Sequence, residues 1–264
     1  MSTLSSPRFK NLQANRLYQK GSYGHSVHLL QQALYDLGHS FSSADGIFGP
    51  KTERSVEEFQ KKHRLTVDGI IGKQTIGCLD RNLPGFSHRV RLHFRSINLT
   101  NVPFHKILQS TEDVYAQYGI KIEMASGKSL LLTKEQTNKF FTINGSCNWE
   151  INSGEYHELH SLGGTVNPKD VLIYYVNKFS EGILGCGGHA KNRPAATVAS
   201  QASRWDTAHE LGHVLLTSAF SPVHSASLAN LMHPTASSYA MTPILNTSQL
   251  NQMRKNACCV AIAS

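Results

Sequence analysis

The stretch His209-Glu210-Leu211-Gly212-His213 decides how the larger part of this sequence is interpreted. If these residues form a helix, the two imidazoles lie four residues apart on one face, where a single zinc ion can bind both. Glu210 then lies beside the pair and can accept a proton from a zinc-bound water. For a chain of this composition, only about 0.03 occurrences of this His-Glu-x-x-His pattern are expected by chance. The motif is therefore informative, and it predicts one catalytic Zn2+ ion.

Patterns on the N-terminal side of this motif place it on a helix that follows a strand. Ser203 can cap the helix, and Asp206 lies three residues later, in the position of a capping box. The continuous apolar run at residues 170–176 is typical of a buried central strand, and residues 197–200 predict a shorter strand. The motif is therefore expected on a helix that begins directly after a strand.

The first part of the same region has the pattern of a β-α-β unit. Apolar and polar residues alternate at 89–95, an amphipathic helix is predicted at 103–118, and alternation returns at 120–124. Such a unit favours a partly parallel sheet. Residues 126–168 are rich in Asn, Gly and Ser, and we expect surface loops there that carry substrate contacts and Cys147. The predicted fold class is α+β with a mixed sheet.

A catalytic zinc site needs a third protein ligand and one open coordination position. His224 lies just past the predicted helix, where the chain must turn back, and His233 lies in Asn230-Leu231-Met232-His233-Pro234. A carboxylate is the remaining alternative, so spacing alone leaves the third ligand open. Other histidines with a candidate role are expected outside regular helices: His157 and His160, which have metal-like spacing, and His189, at the edge of a cleft.

The motif helix together with residues 230–234 resembles the zinc helix and methionine turn of the metzincin-like zincins. The resemblance extends over residues 89–256 and is close over 198–234. It implies a zinc metallopeptidase in which Met232 forms an apolar floor beneath the metal, His233 is the variable residue after it, and His224 is the third ligand. It also implies that Tyr239, past the methionine turn, can donate a hydrogen bond to a developing oxyanion.

The spacing of the third ligand departs from the usual metzincin pattern. That pattern has Gly three residues after the second histidine and the third ligand six residues after it, whereas this chain has Leu216 and Ala219 at those positions. His224 lies eleven residues after His213. A ligand role for His224 therefore requires a longer loop than the usual one.

Four of the five cysteines lie in this region and allow three pairings: Cys147, Cys186, Cys258 and Cys259. A bond between the neighbours Cys258 and Cys259 would strain the backbone, so we expect each of them to pair with one of the other two. Disulfides would indicate an oxidising compartment, and four buried thiols in a cytosolic protein are the alternative. Cys78 stands apart and is expected to be a partly buried thiol.

The first eighty residues contain a repeat. Residues 45–52, Asp-Gly-Ile-Phe-Gly-Pro-Lys-Thr, and residues 68–75, Asp-Gly-Ile-Ile-Gly-Lys-Gln-Thr, begin 23 residues apart. In each, Asp-Gly forms a turn, an apolar pair enters a core, and the second Gly permits a tight entry into a helix. Helical periodicity flanks both turns, which predicts a three-helix module of about 60 residues.

These two turns, with Ser26-Val27, Leu30-Gln31 and Phe59-Gln60, resemble the peptidoglycan-binding-like domain family over residues 20–82. The resemblance implies a module that attaches a hydrolase to cell-wall glycan or peptide. The same fold serves as the prodomain of matrixin metalloproteases, but the sequence around Cys78 lacks their inhibitory Pro-Arg-Cys-Gly pattern. A spacer without a ligand is the remaining alternative.

The chain is thus divided into a leader at 1–19, the small module at 20–82, a linker at 83–88 and a zinc metallopeptidase domain at 89–264. No run of about 18 apolar residues predicts a membrane span, and the leader lacks the apolar region of a secretory signal peptide. We expect a monomer that is secreted or delivered to the periplasm or cell envelope without a cleavable signal. A secretion machinery or an immunity protein is a candidate partner.

The charge of the chain bears on its partners. Lys and Arg number 26 against 18 Asp and Glu, which gives a formal net charge of +8. A basic surface favours an anionic envelope as partner. The positive residues are scattered, and without a Lys/Arg block a nucleic-acid partner is not expected.

Three functions are consistent with these features. The first is a zinc-dependent endopeptidase targeted to the bacterial cell wall, which hydrolyses peptide bonds of peptidoglycan or of wall-associated proteins through a zinc-activated water, with Glu210 as base and then acid. The second is a secreted protease whose first module is a prodomain or chaperone. The third is a non-catalytic wall-binding protein with a structural zinc, which would need a fourth protein ligand.

Overall fold

The two Asp-Gly turns of the repeat organise the first unit of the structure. The computed structural model describes residues 4–13, 15–39, 43–235 and 241–262. It divides into two units, the first of which consists of residues 1–87 with the short segments 116–120 and 246–250. The helices of the predicted small module are present as α1 (His25–Asp36), α2 (Pro50–Lys62) and α3 (Lys73–Asn82).

Each turn is filled by one buried glutamine from the preceding helix. The amide of Gln31 donates to Asp45 Oδ1 and to Thr52 Oγ1, both at 2.9 Å, and its oxygen accepts from the Gly46 N–H at 2.8 Å. Because buried polar groups are stable when they are hydrogen-bonded, this network explains why Asp, Gly and Thr recur together. Gln60 makes the equivalent bonds one repeat later, to Asp68, Thr75 and Gly69.

Apolar residues from these helices and turns form the core of the unit. The glycines of the two turns, Gly46 and Gly69, have φ angles of 76° and 70°, a left-handed conformation that favours glycine. Cys78 lies on α3 and is buried rather than partly buried. The core residues that the helices and turns contribute include Val27, Leu30, Leu34, Phe48, Val56, Phe59, Ile71, Ile76 and Leu79.

A mixed sheet forms the second unit, as the sequence predicted. Its strand order is β2-β1-β4-β7-β6, with β8 paired to β1. β4 pairs in parallel with β1 on one side and with β7 on the other. β6 is antiparallel to β7, and β8 is antiparallel to β1. The strands are β1 (His88–Ser96), β2 (Ile120–Ser129), β3 (Thr142–Ile143), β4 (Val171–Val176), β5 (Lys178–Phe179), β6 (Gly185–Cys186), β7 (Ala195–Ala199) and β8 (Val260–Ala261).

The later helices are α4 (Phe104–Ala116), α5 (Lys134–Phe140), α6 (Gly154–Ser161), α7 (Asp206–Leu216) and α8 (Thr247–Met253). None of the helices in the described part of the chain combines the length and the apolar composition that crossing a bilayer requires. The predicted β-α-β elements are found as β1, α4 and β2, with boundaries shifted by a few residues. The α+β fold class is therefore confirmed.

β4 lies in the middle of the sheet, and all of its residues are buried. It has parallel neighbours on both sides. Such a strand is covered on both faces of the sheet, so its sequence is a continuous apolar run. The helix that carries the motif, α7, follows β7 and begins at Asp206 rather than at Ser203. The Ser203 N–H donates to Asp206 Oδ2 at 2.6 Å, and Ser203 Oγ accepts from the Trp205 N–H at 3.2 Å. The predicted cap by Ser203 is therefore wrong: the residue before α7 is Trp205, which has no side-chain capping bond, and these two bonds close the turn that precedes the helix.

The segment 126–168 is more ordered than its composition indicates. It contains α5, β3 and α6, elements too short to produce a clear periodicity. His157 and His160, which were expected on no helix, both lie on α6. His160 is buried, with its Nε2 2.9 Å from Thr197 Oγ1 and its ring stacked on Tyr174, so its role is structural. Several apolar residues of the segment join the core around β4: Phe140, Ile143, Ile151, Tyr156 and Leu159.

The disulfide pairing predicted from the sequence is wrong. Cys147 is bonded to Cys186, with 5.7 Å between their Cα atoms, and Cys258 and Cys259 are buried free thiols. The strand order explains the error. Cys186 lies on β6, whereas Cys259 directly precedes β8, which pairs with β1. Three strand spacings of about 4.8 Å each separate β1 from β6. This separation exceeds the roughly 7 Å between Cα atoms that a disulfide can span, so Cys259 cannot reach Cys186.

Replacing Gln60 with leucine should strongly destabilise the first unit. The substitution keeps a side chain of similar size but leaves the N–H groups of Asp68 and Gly69 without their acceptor. We expect a loss of about 2–4 kcal/mol in the free energy of unfolding, measured by urea titration with circular dichroism. Gln74→Leu, at an exposed position of α3, is the matched control. Equal unfolding midpoints for the two variants would contradict the prediction.

Peptide mapping without reduction should recover a cross-linked peptide that joins Cys147 to Cys186. The thiols of Cys78, Cys258 and Cys259 are buried, so they should react with an alkylating reagent only after unfolding. Replacing both bonded cysteines with serine should lower the free energy of unfolding by about 4 kcal/mol, because a loop of about 39 residues is no longer closed in the unfolded chain. A peptide that joins Cys258 or Cys259 to either partner would refute the pairing.

Candidate functional site

Three histidines come together along a cleft in the second unit. Ring nitrogens of His209, His213 and His224 all lie within 4.8 Å of one another. The Nε2 atoms of His209 and His213 are 3.0 Å apart, and the centre of the His224 ring lies 5.6 Å and 4.9 Å from those of the other two rings. Two nitrogen ligands of a tetrahedral zinc are about 3.3 Å apart, so the three side chains fit a single ion.

A backbone carbonyl fixes the ring of His209. The Nδ1 atom of His209 lies 2.7 Å from the oxygen of Leu231. A carbonyl oxygen only accepts, so Nδ1 carries the proton and Nε2 presents its lone pair beside His213. Burial lowers the pKa of all three histidines, to about 3 for His213. The imidazoles are therefore neutral at pH 7, which is the form that binds metal ions.

Glu210 lies on α7 between the two motif histidines and lines the same cleft. Burial raises the pKa of its carboxyl group well above the usual range, the nearby charge of Asp206 adds to this effect, and a hydrogen bond from the Gly187 N–H opposes it. A carboxylate with a raised pKa is a stronger proton acceptor. Glu210 is thus suited to take up a proton in the cleft.

Two glycines let the edge of the sheet approach α7 closely. A Cβ atom added at Gly185 would overlap the carboxyl group of Glu210, and one at Gly187 would overlap the Cβ atom of His213. Any larger residue at either position would push this segment away from α7. The sequence of the edge is therefore fitted to the side chains of Glu210 and His213, a feature that the residue pattern alone did not reveal.

The disulfide anchors a tryptophan beside the histidine cluster. Cys147 and Cys186 join the loop before α6 to β6. Two residues after Cys147, the ring of Trp149 lies 5.8 Å from the ring of His213 at an interplanar angle of 73°. Trp149 is 39% exposed and lines the cleft. Nothing in the sequence pattern marks this residue except its closeness to a cysteine.

Residues 230–233 form a turn that packs against α7. Asn230 Oδ1 accepts from the Met232 N–H at 2.9 Å, and the His233 N–H donates to the oxygen of Asn230 at 2.9 Å. Met232 is fully buried, and its sulfur lies 2.5 Å from where a Cβ atom of residue 212 would be. Gly212, one residue before His213, therefore makes room for the methionine.

The long loop after α7 brings His224, rather than His233, to the motif histidines. The N–H of Ser225 donates to the oxygen of Met232 at 2.9 Å, which ties the residue after His224 to the turn. His233 Nδ1 accepts instead from the Thr235 N–H at 3.2 Å. Of the other candidates, Tyr239 is outside the described residues. His189 is not part of this cleft but lines another cavity, with its Nδ1 atom 2.8 Å from the oxygen of Ala190.

These side chains border a cleft of about 600 Å³. Its lining combines the three histidines and Glu210 with Trp149, the Gly-rich edge at residues 182–188 and parts of the loop after α7. The arrangement can hold a metal ion, present a proton acceptor next to it and leave room for a ligand. The ligand roles predicted for His209, His213 and His224 stay predictions.

Comparison with known proteins identifies the N-terminal region. Residues 23–79 match the family described as "Putative peptidoglycan binding domain". Among curated proteins, the chain is 39% identical over 79 residues to the Type VI secretion system spike protein VgrG3 of Vibrio cholerae, covering 25% of this chain and 8% of that protein. It is 38% identical over 74 residues to a spore cortex-lytic enzyme of Bacillus cereus, covering 27% and 29%.

A third curated relative is the N-acetylmuramoyl-L-alanine amidase CwlM of Mycobacterium tuberculosis, 36% identical over 73 residues, with 26% of this chain and 18% of that protein covered. The chain thus spans less than a third of the length of each of these relatives. The resemblance of the small module to peptidoglycan-binding domains is confirmed by the family match.

Two solved structures are also similar in part. The N-terminal domain of SleB has 35% sequence identity and a TM-score of 0.26, covering 26% of this chain and 94% of that one. Archaemetzincin from Methanopyrus kandleri has 13% identity and a TM-score of 0.34, covering 64% and 88%. Similarities at these TM-scores do not indicate a function for the second unit. Any function proposed for that unit is therefore argued from the residues of its cleft.

Proposed function

We propose that this protein is a zinc-dependent endopeptidase that acts at the bacterial cell wall, where it hydrolyses peptide bonds of peptidoglycan or of wall-associated proteins. The observation that carries the proposal is the convergence of His209, His213, His224 and Glu210 on one cleft. Three imidazoles form a ligand set that zinc enzymes use. Among the described residues, the group includes no fourth Cys, His, Asp or Glu, which favours a catalytic ion over a structural one.

The chain's own residues supply the proton chemistry. When bound, a zinc ion polarises a peptide carbonyl and makes water more acidic. Glu210 accepts the proton of the attacking water on its carboxylate and then donates it to the nitrogen of the leaving amine. Its buried position favours the protonated, uncharged form between these two transfers. The Leu231 carbonyl meanwhile keeps the proton of His209 on Nδ1.

Cell-wall targeting is supported by the N-terminal module. Residues 23–79 match a peptidoglycan-binding family, and two curated relatives are named as a cortex-lytic enzyme and a muramoyl-alanine amidase. The net charge of +8 suits an anionic envelope. We therefore place the protein in the cell envelope or outside the cell, where the Cys147–Cys186 bond is stable.

Delivery by a secretion machinery belongs to the same proposal. Its support is the similarity to a Type VI secretion system spike protein. A toxic wall hydrolase delivered in this way would act as an effector and would have an immunity protein as its partner. The protein is proposed to act as a monomer.

The purified protein should bind one zinc ion per chain, as measured by metal analysis after dialysis. His224→Ala should weaken zinc binding by more than about 100-fold. Removing a residue that only hydrogen-bonds to a ligand lowers metal affinity by about 10–100-fold, and removing a ligand itself should cost more. His233→Ala is the matched control and should retain the ion, since its ring bonds to the Thr235 backbone. Retention by His224→Ala together with loss in His233→Ala would assign the third ligand to His233.

Glu210→Ala should keep zinc but hydrolyse its substrate about 100- to 10,000-fold more slowly, because general base catalysis is lost. The measurement is mass spectrometry of fragments released from purified sacculi and from wall-associated proteins. Glu135→Ala, which removes an exposed acid on α5, is the control and should retain full activity. Equal digestion by Glu210→Ala and the unmodified protein, or digestion by neither, would favour a wall-binding protein without catalytic activity.

A further inference from the structure

Asp206 is a nearly buried carboxylate in the cleft that the proposed reaction does not use. It is the first residue of α7, one turn before Glu210, and is 6% exposed. Its Oδ2 atom accepts one hydrogen bond, from the Ser203 N–H at 2.6 Å. Within the described ranges, its carboxylate accepts no further hydrogen bond and has no Lys, Arg or His nitrogen within 4.0 Å.

A carboxylate in such a place calls for a further partner. Removing a charge from water is unfavourable unless the charge is paired. The N-terminal end of α7 and the Ser203 N–H offset part of this cost, but they engage only one of the two oxygens of Asp206. The other oxygen, Oδ1, retains solvent contact at a residue that lines the cleft. A ligand in the cleft can therefore reach it.

The side chains that line the cleft differ from the rest of the chain in their charged residues. The protein carries 26 Lys and Arg residues and a formal net charge of +8. Among the described residues that line the cleft there is no Lys or Arg, and the acidic ones are Asp206 and Glu210. Much of the remaining lining is apolar or uncharged, including Ile183, Leu184, Val223 and Pro234. No Lys or Arg side chain of the lining therefore repels a cationic group that approaches Asp206.

The free oxygen of Asp206 fits an ammonium group better than a guanidinium group. A guanidinium binds a carboxylate best through both oxygens at once, whereas an ammonium is a compact charge that needs only one. Since Oδ2 already accepts from Ser203, one oxygen remains. Asp206 and Glu210 lie one turn apart on α7 and both line the cleft, so a ligand held at Asp206 would extend to the reacting groups.

We propose that Asp206 binds a primary ammonium group of the substrate, so that the cleft selects peptides with a free amine near the bond that is cut. The ammonium belongs either to the side chain of a diamino acid or to a free amino terminus. This assignment rests on the proposed function, since it names the substrate class of the same cleft. Two other roles for Asp206, closing the first turn of α7 and balancing the charge of the metal, are distinguished by the experiment.

The test compares soluble wall peptides released from sacculi with the same peptides after N-acetylation, which removes the positive charge. The unmodified protein should cleave the free-amine peptides with a kcat/KM at least about tenfold higher than the acetylated ones. Asp206→Asn, which can still accept from Ser203, should cleave both sets at similar rates. Glu135→Gln, at an exposed position of α5, should keep the preference. Peptides acetylated only at the side chain or only at the terminus identify the amine that is bound.

A binding measurement separates this inference from the proposed reaction. Calorimetric titration of the Glu210→Gln protein should show the same preference for free-amine peptides, and adding Asp206→Asn should remove it. If no peptide is cleaved but this difference in binding is found, the reaction is wrong and the role of Asp206 stands. The assignment is overturned if acetylation changes neither cleavage nor binding. It is also overturned if Asp206→Asn reduces zinc content or folding stability and weakens both peptide sets equally.

Discussion

The hydrogen bond between His209 Nδ1 and the Leu231 carbonyl is the interaction on which the candidate site depends. It joins α7 to the turn at residues 230–233 and at the same time decides which nitrogen of His209 is free. The bond from Ser225 to Met232 fastens the His224 loop to the same turn. A single segment of backbone thus sets the direction of one imidazole and the position of another, although those two residues are 15 apart in the sequence, 224 − 209.

Close packing around α7 makes this arrangement rigid. Glycines stand at three places where another element approaches the helix or its functional side chains: Gly185, Gly187 and Gly212. Each permits a contact that a side chain would prevent. The loop that places Trp149 beside His213 is held in addition by the Cys147–Cys186 disulfide. Residues far apart in the chain therefore restrict the same few side chains, which limits the conformations that the candidate site can adopt.

Local patterns predicted the parts of the fold that local physics determines. The motif helix, the buried strand β4 and the repeated turns each have a period or spacing that reports directly on structure. The pairing of Cys147 with Cys186 depends instead on strand order, which no short segment encodes. The same is true of the position of Trp149 beside His213 and of Asp206 in the cleft, which depends on residues distant in the sequence. Elements as short as α5 and α6 leave too few residues for a periodicity to emerge.

The glutamine-filled turns have a consequence for how the N-terminal unit tolerates change. Gln31 and Gln60 each satisfy the polar groups of their own turn, and neither takes part in the network of the other. The unit thus contains two glutamine-centred networks, which are joined by the shared apolar core and by polar contacts to α2 such as Gln31 to Thr52. Divergence of outward-facing residues in one half leaves the internal bonding of the other intact, so such a scaffold can acquire new surface chemistry without losing its shape.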